Sequence, residues 1–445
     1  MNWLQLISNK RLGQEDRHMA RHDDRSEFKR DSDRLLFSAP FRRLQNKTQV
    51  FPLPGSVFVH NRLTHSLEVS CVGTSLGNDV ARQLTERHPS LKNTLFEDIG
   101  TIVSAACLAH DMGNPPFGHS GERAIRAFFT EGKGQYLQSQ VSDGFWSDIT
   151  HFEGNANAFR LLAHRFKGRR DGGFVLTYST LASIVKYPHS STMSGKKGKF
   201  GFFHSEQDIY LRIARGLGIR QLEQGDCGVR FARHPLVYLV EAADDICYEI
   251  MDIEDAHKLK ILSFEETEHL LLGFFSEEVR QKMRQRIIDE RIDDANEKVV
   301  YMRSSVIGLL EHECVKAFVD NEEAILAGEF TGSLIDHISE SAREAYRRCT
   351  EVSKVRIYNS KPVLDVELSG YKIIETLMEQ MTQAVVSPDR YYSQQLINRV
   401  SSQYDITAPD LETRLMAVID YISGMTDVYA LDVYQKINGI SLPIV

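Results

Sequence analysis

The stretch IGTIVSAACLAHDM (residues 99–112) decides how the chain folds, because it is an apolar run that ends in a histidine–aspartate pair. Its length and composition predict a buried helix. Burying a carboxylate costs several kcal/mol unless a counter-charge or a metal ion balances it. The local sequence offers His110-Asp111 no Lys or Arg. We therefore expect a metal ion at this pair, and with it hydrolytic chemistry.

The chain around this helix carries mainly helical patterns. Gly113-Asn114-Pro115-Pro116 must end the helix, because proline cannot continue the hydrogen-bond ladder, and a new helix is predicted from Ser120 to Phe129. Strand signals are rare, apart from a short extended piece at Val355–Tyr358. The sequence predicts a mostly α-helical fold, with further helical segments at residues 57–84, 152–166, 236–253, 262–350, 368–386 and 411–422.

Composition excludes several classes of protein. A net charge of −8 argues against a protein built mainly to coat nucleic acid. No apolar run approaches the roughly 18 residues of a membrane span, and the first residues lack the apolar core of a secretory signal. The six cysteines show no CxxC spacing, which favours reduced side chains. We expect a cytoplasmic protein without disulfides and without a membrane anchor.

Two further helical segments carry residues that are typical of a site. Asp244, Tyr248 and Asp252 are spaced four apart, so they share one stripe of the helix that follows Pro235. Charged stripes usually face water, which leaves a solvated edge as the alternative, but the tyrosine between two acids favours a site. His119 and Glu122 are three apart at a helix start. They suit a carboxylate-oriented proton-transfer pair, with a surface or capping pair as the alternative.

Five strings in the chain match a known family. They are FRRLQNKTQVF (41–51), HNRLTHSLEVS (60–70), LAHDMGNPPFGHSGE (108–122), HFEGNANAFR (151–160) and YLVEAADDICYEIMDIED (238–255). Through them the chain resembles the HD-domain phosphohydrolases. It resembles more closely the bacterial deoxyguanosine triphosphate triphosphohydrolases (dGTPases) and their dGTPase-like relatives. The resemblance runs from about residue 34 to residue 255 and is weaker in the C-terminal helices.

The resemblance implies a role for each matching residue. It implies four metal ligands: His65, His110, Asp111 and Asp244. It implies His119 and Glu122 as the proton-transfer pair with His151 and Asn114 nearby, Arg62 and Lys186 on the triphosphate, and Gln49, Tyr187, Tyr248 and Asp252 around the deoxyribose. Whether His119 acts as base or as acid stays open. The Gly/Lys-rich segment GKKGKFG (195–201) is interpreted as a flexible basic loop near a polyanion entrance or at a nucleic-acid contact.

The activity that the resemblance implies is hydrolysis of deoxynucleoside triphosphates, dGTP-preferring or broad, to deoxynucleoside and inorganic triphosphate, which would regulate dNTP pools. One divalent metal is expected per site: Mn²⁺ first, with Mg²⁺, Fe²⁺, Co²⁺, Ni²⁺ or Zn²⁺ as alternatives. The expected partners are the dNTP substrate, further copies of the chain in a homo-oligomer (a hexamer by resemblance), and a single-stranded DNA or dNTP effector. The alternatives are another HD phosphohydrolase, acting on nucleoside monophosphates or cyclic dinucleotides, and a nucleotide- or single-stranded-DNA-responsive binding protein.

Three regions are predicted along the chain. Residues 1–34 would form a charged N-terminal arm, in which residues 10–34 are dense in charge of both signs and are expected to be exposed or to order on assembly. Residues 35–255 would form the HD phosphohydrolase core. Residues 256–445 would form a C-terminal helical region that packs on the core and serves oligomerisation or regulation.

Overall fold

Helices build nearly the whole protein in the computed structural model, which describes residues 1–16, 24–52, 59–195, 198–225 and 228–440. In the first half they are α1 (Trp3–Leu6), α2 (Glu27–Leu36), α3 (Ala39–Arg43), α4 (Arg62–Arg87), α5 (Ile99–Ala109), α6 (Gly118–Thr130), α7 (Asp143–Thr150), α8 (Gly154–Ala163), α9 (Tyr178–Ile184) and α10 (Gln207–Leu217). In the second half they are α11 (Leu236–Lys258), α12 (Phe264–Leu272), α13 (Glu277–Asp289), α14 (Ala295–Asp320), α15 (Glu322–Ala327), α16 (Glu340–Val352), α17 (Lys361–Val386), α18 (Tyr391–Asn398), α19 (Leu411–Ser423) and α20 (Asp427–Ile437). The predicted all-α fold class is confirmed.

Strands are confined to one antiparallel hairpin within these described ranges, formed by β1 (Gln221–Gly225) and β2 (Gly228–Phe231). In the same ranges, none of the helices combines the length and the apolar character that crossing a membrane requires. Five cysteines have free thiols, four of them buried. Cys227 lies outside the described residues.

The centre of the protein is a tight packing of α4, α5 and α11. Every residue of α5 is buried except Thr101 and Ser104, as an apolar run of this length requires. Two glycines let α4 and α5 approach closely. A Cβ atom on Gly77 would lie 2.6 Å from the Cα of Gly100. This packing brings three helices from distant parts of the sequence together near the end of α5.

The turn from α5 into α6 carries the residues of the most specific string. The α5 helix ends at Ala109, before the predicted end at residue 112, so His110 already belongs to the turn. Gly113 has no room for a side chain, because its Cβ would lie 2.1 Å from the backbone nitrogen of Ala158. The next helix begins at Gly118, two residues before the predicted start.

The C-terminal helices form two groups. The first group, α12 to α16, packs on α11 and α4. In the second group, α17 packs on α6 and also contacts α18, α19 and α20. These contacts build a second apolar core, in which side chains from α6 and α7 join those of α17 to α20. The C-terminal helices therefore lie directly against the helix that begins with the GHSGE segment.

Two predictions about local structure are wrong. The N-terminal segment is not an exposed arm: Trp3 and Phe28 belong to the main core, and the buried Arg11 pairs with Asp31 at 2.7 Å. Some of its charges pair inside the protein, as Arg11 and Asp31 do, whereas Arg25 and Lys29 pair with Asp33 at the surface. Residues 17–23 lie outside the described residues. The segment predicted as extended at Val355–Tyr358 continues α16 as a π-helical turn, Ser353–Ile357.

Candidate active site

Four side chains from three helices meet at the end of α5. The α4 helix supplies His65, the turn after α5 supplies His110 and Asp111, and α11 supplies Asp244. His65 Nε2 lies 3.0 Å and His110 Nε2 lies 3.5 Å from the same atom, Asp244 Oδ1. His110 Nε2 is also 3.7 Å from Asp111 Oδ1. One ligand atom each of His65, His110 and Asp111 falls within 4.8 Å of the others, so the four predicted ligands come together.

This cluster fits a divalent metal ion. His110 Nδ1 donates a hydrogen bond to the carbonyl oxygen of Cys107 at 2.6 Å, which turns Nε2 toward the carboxylates. That Nε2 atom is buried and has no hydrogen-bond partner. Two imidazole nitrogens and two carboxylate oxygens form a mixed donor set that first-row divalent metals prefer.

Electrostatics keep both carboxylates of the cluster ionised. Burial raises the pKa of Asp244, but the His110 and His65 imidazoles outweigh it and hold that pKa well below its usual range. Burial also raises the pKa of Asp111, and the Arg62 guanidinium, whose Nη1 is 2.7 Å from Asp111 Oδ2, lowers it on balance. Burial lowers the pKa of His110, yet the two carboxylates raise it to about 9.

Arg62 changes one expectation from the sequence. The local sequence offers His110-Asp111 no basic partner, but the fold brings Arg62 to Asp111 from 49 residues away. The carboxylate is therefore not left to a metal ion alone. Arg62 also borders the cleft beside the cluster, so its guanidinium can contact Asp111 and face a bound ligand at the same time.

The second pair, His119 and Glu122, lies on the first turn of α6. His119 Nδ1 is 3.1 Å from Glu122 Oε2. The Glu122 side chain is 2% exposed, whereas that of His119 is 71% exposed. Glu122 Oε1 accepts a hydrogen bond from the backbone of Gly154 at 2.8 Å. Burial raises the pKa of Glu122, but the bond with His119 and its charge outweigh it and bring that pKa to about 2. A fixed anion thus orients an accessible imidazole.

A cleft of about 410 Å³ is bordered both by the histidine–aspartate cluster and by the His119–Glu122 pair. Eleven of the fourteen predicted site residues border it: Gln49, Arg62, His110, Asp111, Asn114, His119, Glu122, Lys186, Tyr187, Asp244 and Tyr248. Asn114 donates a hydrogen bond from Nδ2 to Asp111 Oδ1. The buried Oε1 of Gln49 has no hydrogen-bond partner.

Three predicted site residues do not border the cleft. His65 is buried behind the metal cluster and reaches it through Nε2. His151 donates a hydrogen bond from Nδ1 to the carbonyl oxygen of Ser147 at 2.9 Å. Asp252 is 5% exposed and accepts a hydrogen bond from the hydroxyl of Tyr358 at 2.8 Å. It is Tyr358, and not Asp252, that faces the cleft.

Lys186 supplies a positive charge at the border of the cleft. Its Nζ is 3.1 Å from Glu241 Oε1 and 5.9 Å from the centre of the Tyr187 ring. Burial lowers the pKa of Lys186, but Glu241 more than reverses that effect, so the pKa is raised. The amine therefore stays charged at neutral pH and can bind an anion.

Comparison with known proteins identifies the family. An HD domain model matches residues 62–215, and a phosphohydrolase-associated domain model matches residues 337–436. Over 452 residues the chain is 40% identical to a deoxyguanosinetriphosphate triphosphohydrolase-like protein of Pseudomonas aeruginosa, and the match covers both chains completely. The chain belongs to the deoxyguanosinetriphosphate triphosphohydrolase-like family.

Other relatives of this dGTPase-like protein match over nearly the same length. A protein of the same name from Synechocystis is 36% identical over 458 residues, covering 99% of this chain and 100% of the relative. A deoxyguanosinetriphosphate triphosphohydrolase of Yersinia enterocolitica is 29% identical over 486 residues, covering 92% and 93%. The HD domain and the family predicted from the sequence are confirmed. The HD match contains His65, His110 and Asp111, and Asp244 lies beyond its end.

Sequence reasoning missed three side chains that border the cleft of this dGTPase-like protein: Lys199, Glu241 and Tyr358. Lys199 forms an ion pair with Glu153 at the cleft wall. The sequence predicts a basic loop near a polyanion for the segment that contains Lys199. That prediction was the available signal, but it does not single out Lys199. Tyr358 packs 6.0 Å from the ring of Tyr248. Sequence reasoning did not single out Tyr358, because its segment was predicted to be extended.

Proposed function

We propose that the protein hydrolyses deoxynucleoside triphosphates, either dGTP by preference or all four, to deoxynucleoside and inorganic triphosphate. The observation that carries the proposal is the histidine–aspartate cluster at the wall of a cleft that also contains the His119–Glu122 pair. The names of the relatives in Pseudomonas aeruginosa and Yersinia enterocolitica support the substrate class.

One divalent metal ion would be held by His65, His110, Asp111 and Asp244. When bound, it supplies a Lewis acid for a phosphate oxygen. The mixed nitrogen and oxygen donors suit Mn²⁺, Fe²⁺, Co²⁺, Ni²⁺ or Zn²⁺, and Mg²⁺ is compatible with the carboxylates. We propose Mn²⁺ as the first ion to supply in an assay.

His119 would move the proton of the reaction. In the proposed step, a water oxygen forms a bond to the α-phosphorus, and the bond from that phosphorus to the 5′-oxygen of the sugar breaks. Water loses one proton and the 5′-oxygen gains one, so the step balances. Glu122 occupies Nδ1 of His119, so Nε2 is the atom that accepts or donates the proton.

The polyphosphate and the sugar would contact different residues of the cleft. Arg62 and Lys186 would bind the triphosphate, because both remain charged and border the cleft. Tyr248 and Tyr187 would contact the deoxyribose. Gln49 supports a polar sugar contact, since its buried Oε1 lacks a hydrogen-bond partner among the described residues and a ligand hydroxyl could supply one.

The direct test is product analysis. Metal-free protein and protein supplied with Mn²⁺ are incubated with each of the four dNTPs, singly and mixed, with and without single-stranded DNA. We expect inorganic triphosphate and the deoxynucleoside only in the presence of metal. Release of pyrophosphate or phosphate instead, or no consumption of any deoxynucleotide under these conditions, would contradict the proposal. A response only to mixtures would indicate a regulatory nucleotide site.

We also propose that the chain forms a homo-oligomer, with a hexamer as the expected size. Large apolar side chains are exposed on the C-terminal helices, including Leu368, Tyr391 and Val428, and such exposure is typical of contact surfaces. Sedimentation equilibrium of the full chain tests this, and a monomer at micromolar concentration contradicts it. A cytoplasmic location and a role in setting dNTP pools remain predictions.

A further inference from the structure

The turn that presents His119 has an unfavourable backbone. Phe117 has φ +60° and Gly118 has φ +53°, so two consecutive residues are left-handed directly before α6. A left-handed conformation is unfavourable for a residue with a side chain as large as that of Phe117. The position before α6 also provides no side-chain cap for the helix. The turn therefore depends on contacts from elsewhere.

Three contacts from the C-terminal helices hold the turn. The backbone nitrogen of Phe117 donates a hydrogen bond to Asp427 Oδ1 at 2.9 Å. The hydroxyl of Ser120 donates to the carbonyl oxygen of Glu367 at 2.6 Å. The ring of Phe117 packs against Gly370 of α17, where a Cβ would lie 2.4 Å from the ring. The side chain most directly involved is that of Asp427, at the start of α20.

The second oxygen of Asp427 binds the segment on another side of the cleft. Asp427 Oδ2 accepts a hydrogen bond from the backbone nitrogen of Thr48 at 2.8 Å, and Thr48 precedes Gln49. The Asp427 side chain is buried, with a relative exposure of 5%. One carboxylate thus receives two backbone N–H groups, from segments that carry a predicted sugar contact and the predicted proton carrier.

A neighbouring lysine makes a parallel connection. The buried Lys47 donates from Nζ to the carbonyl oxygen of Asn114 at 2.5 Å and to that of Ser423 at 3.0 Å. Ser423 is the last residue of α19. Together, Lys47 and Asp427 connect both ends of the Asn114–His119 turn to the C-terminal helices. Residues in the phosphohydrolase-associated region therefore help to fix the position of the turn that carries His119.

We propose that Asp427 is a positioning residue, whose carboxylate fixes the His119 turn relative to the Gln49 segment. Its kinetic consequence rests on the proposed function. Only a carboxylate accepts from both N–H groups here, because the amide of an asparagine would direct its own NH₂ group at one of them. Misplacement of a catalytic group by about 1 Å can lower a rate by about 10², so losing one anchor should act mainly on kcat.

The experiment compares D427N with D432N, a control on the same helix. Asp432 is 41% exposed and pairs only with the nearby Lys436 in the described ranges. We measure steady-state kinetics, bound Mn²⁺ and amide hydrogen exchange. In D427N we expect kcat to fall by about tenfold or more with a smaller change in KM and unchanged metal content. Exchange at the Phe117 and Thr48 amides should accelerate. D432N should match the wild type.

Wild-type kcat and wild-type exchange at both amides in D427N would overturn the inference. Accelerated exchange in D427N, found with a wild-type protein that hydrolyses no dNTP, would support positioning and count against the proposed function alone. If D427N fails to fold, S120A tests the same turn, because it removes only the bond to Glu367. A several-fold loss of kcat with faster exchange at Phe117 supports the inference, and no change in either overturns it.

Discussion

The two walls of the cleft are built in different ways. The metal wall comes from the closely packed helices α4, α5 and α11, and its ligands point inward from helix surfaces or ends. The opposite wall comes from turns, including the Gln49 segment and the left-handed turn before α6, and these are fixed by Asp427 and Lys47. The proposed metal site is thus a consequence of core packing, whereas the other wall depends on contacts made far along the chain.

The largest expected effect is the loss of a metal-wall carboxylate. Asp244→Asn removes a charged ligand, so we expect the metal to be lost and kcat to fall by at least about 10³, since a metal ion contributes several kcal/mol of transition-state stabilisation. Metal analysis after gel filtration and steady-state kinetics measure both. Asp245→Asn is the matched control, because Asp245 does not border the cleft. A D244N protein that keeps its metal and its rate would remove Asp244 from the site.

The next effect tests the opposite wall. His119→Ala should lower kcat by about 10²–10⁴, the usual contribution of general acid–base catalysis, while the metal content stays at the wild-type value. The two measurements together separate proton transfer from metal binding. His312→Ala, an exposed histidine on α14, serves as the control. Wild-type turnover in H119A would exclude His119 from the mechanism.

A smaller effect is expected on sugar selection. The ring of Tyr248 borders the cleft on the metal wall and lies 6.5 Å from the ring of His65. If this ring excludes a 2′-hydroxyl, Tyr248→Ala should raise the ratio of ribonucleotide to deoxyribonucleotide turnover by up to about 10². The exposed Tyr136→Ala is the control. An unchanged ratio in Y248A assigns the discrimination to another residue.

The smallest effect concerns the pH dependence of stability. His60, just before α4, lies 2.7 Å from Asp255 and 3.1 Å from Glu68. Burial lowers its pKa, but the bonds to these two carboxylates raise it from 6.5 to about 10. A pKa raised by folding stabilises the protein fully below pH 6.5, and this contribution is lost as the pH rises through about 10.

Thermal unfolding of His60→Asn measures this contribution. The difference in Tm between wild type and variant should be largest near pH 6 and should shrink toward pH 10. His312→Asn should show no such trend. A difference that is constant over this range, or that grows with pH, would show that His60 is not held as a cation.

The sequence predicts the metal wall far better than the opposite wall, for physical reasons. The burial of α5 and the position of Asp244 on α11 follow from helical periodicity and from short strings around them. The π-helical turn at Ser353–Ile357 does not follow from the sequence, because its residues are equally compatible with an extended segment. The paired charges of Arg11 and Asp31 were interpreted as solvated, since the sequence does not show that they meet.

The bonds made by Asp427 leave no local signal at all. An aspartate near the start of a helix has an ordinary explanation in the helix dipole, so nothing in residues 424–430 points to the cleft. Its partners are the backbone nitrogens of Thr48 and Phe117, and backbone groups carry no sequence identity. Only the folded arrangement could show this contact. The same holds for the ion pair of Arg62 with Asp111.

The bond between Phe117 and Asp427 spans 310 residues, and this has a consequence for biosynthesis. Chains are made from the N-terminus, and their early parts fold first. A nascent chain has emerged with every proposed metal ligand once α11 is outside the ribosome, yet the turn before α6 still lacks its anchor. The residues proposed to bind the metal are thus synthesised as one early part of the chain, but His119, the proposed proton carrier, takes up its final place only after α20 has been synthesised.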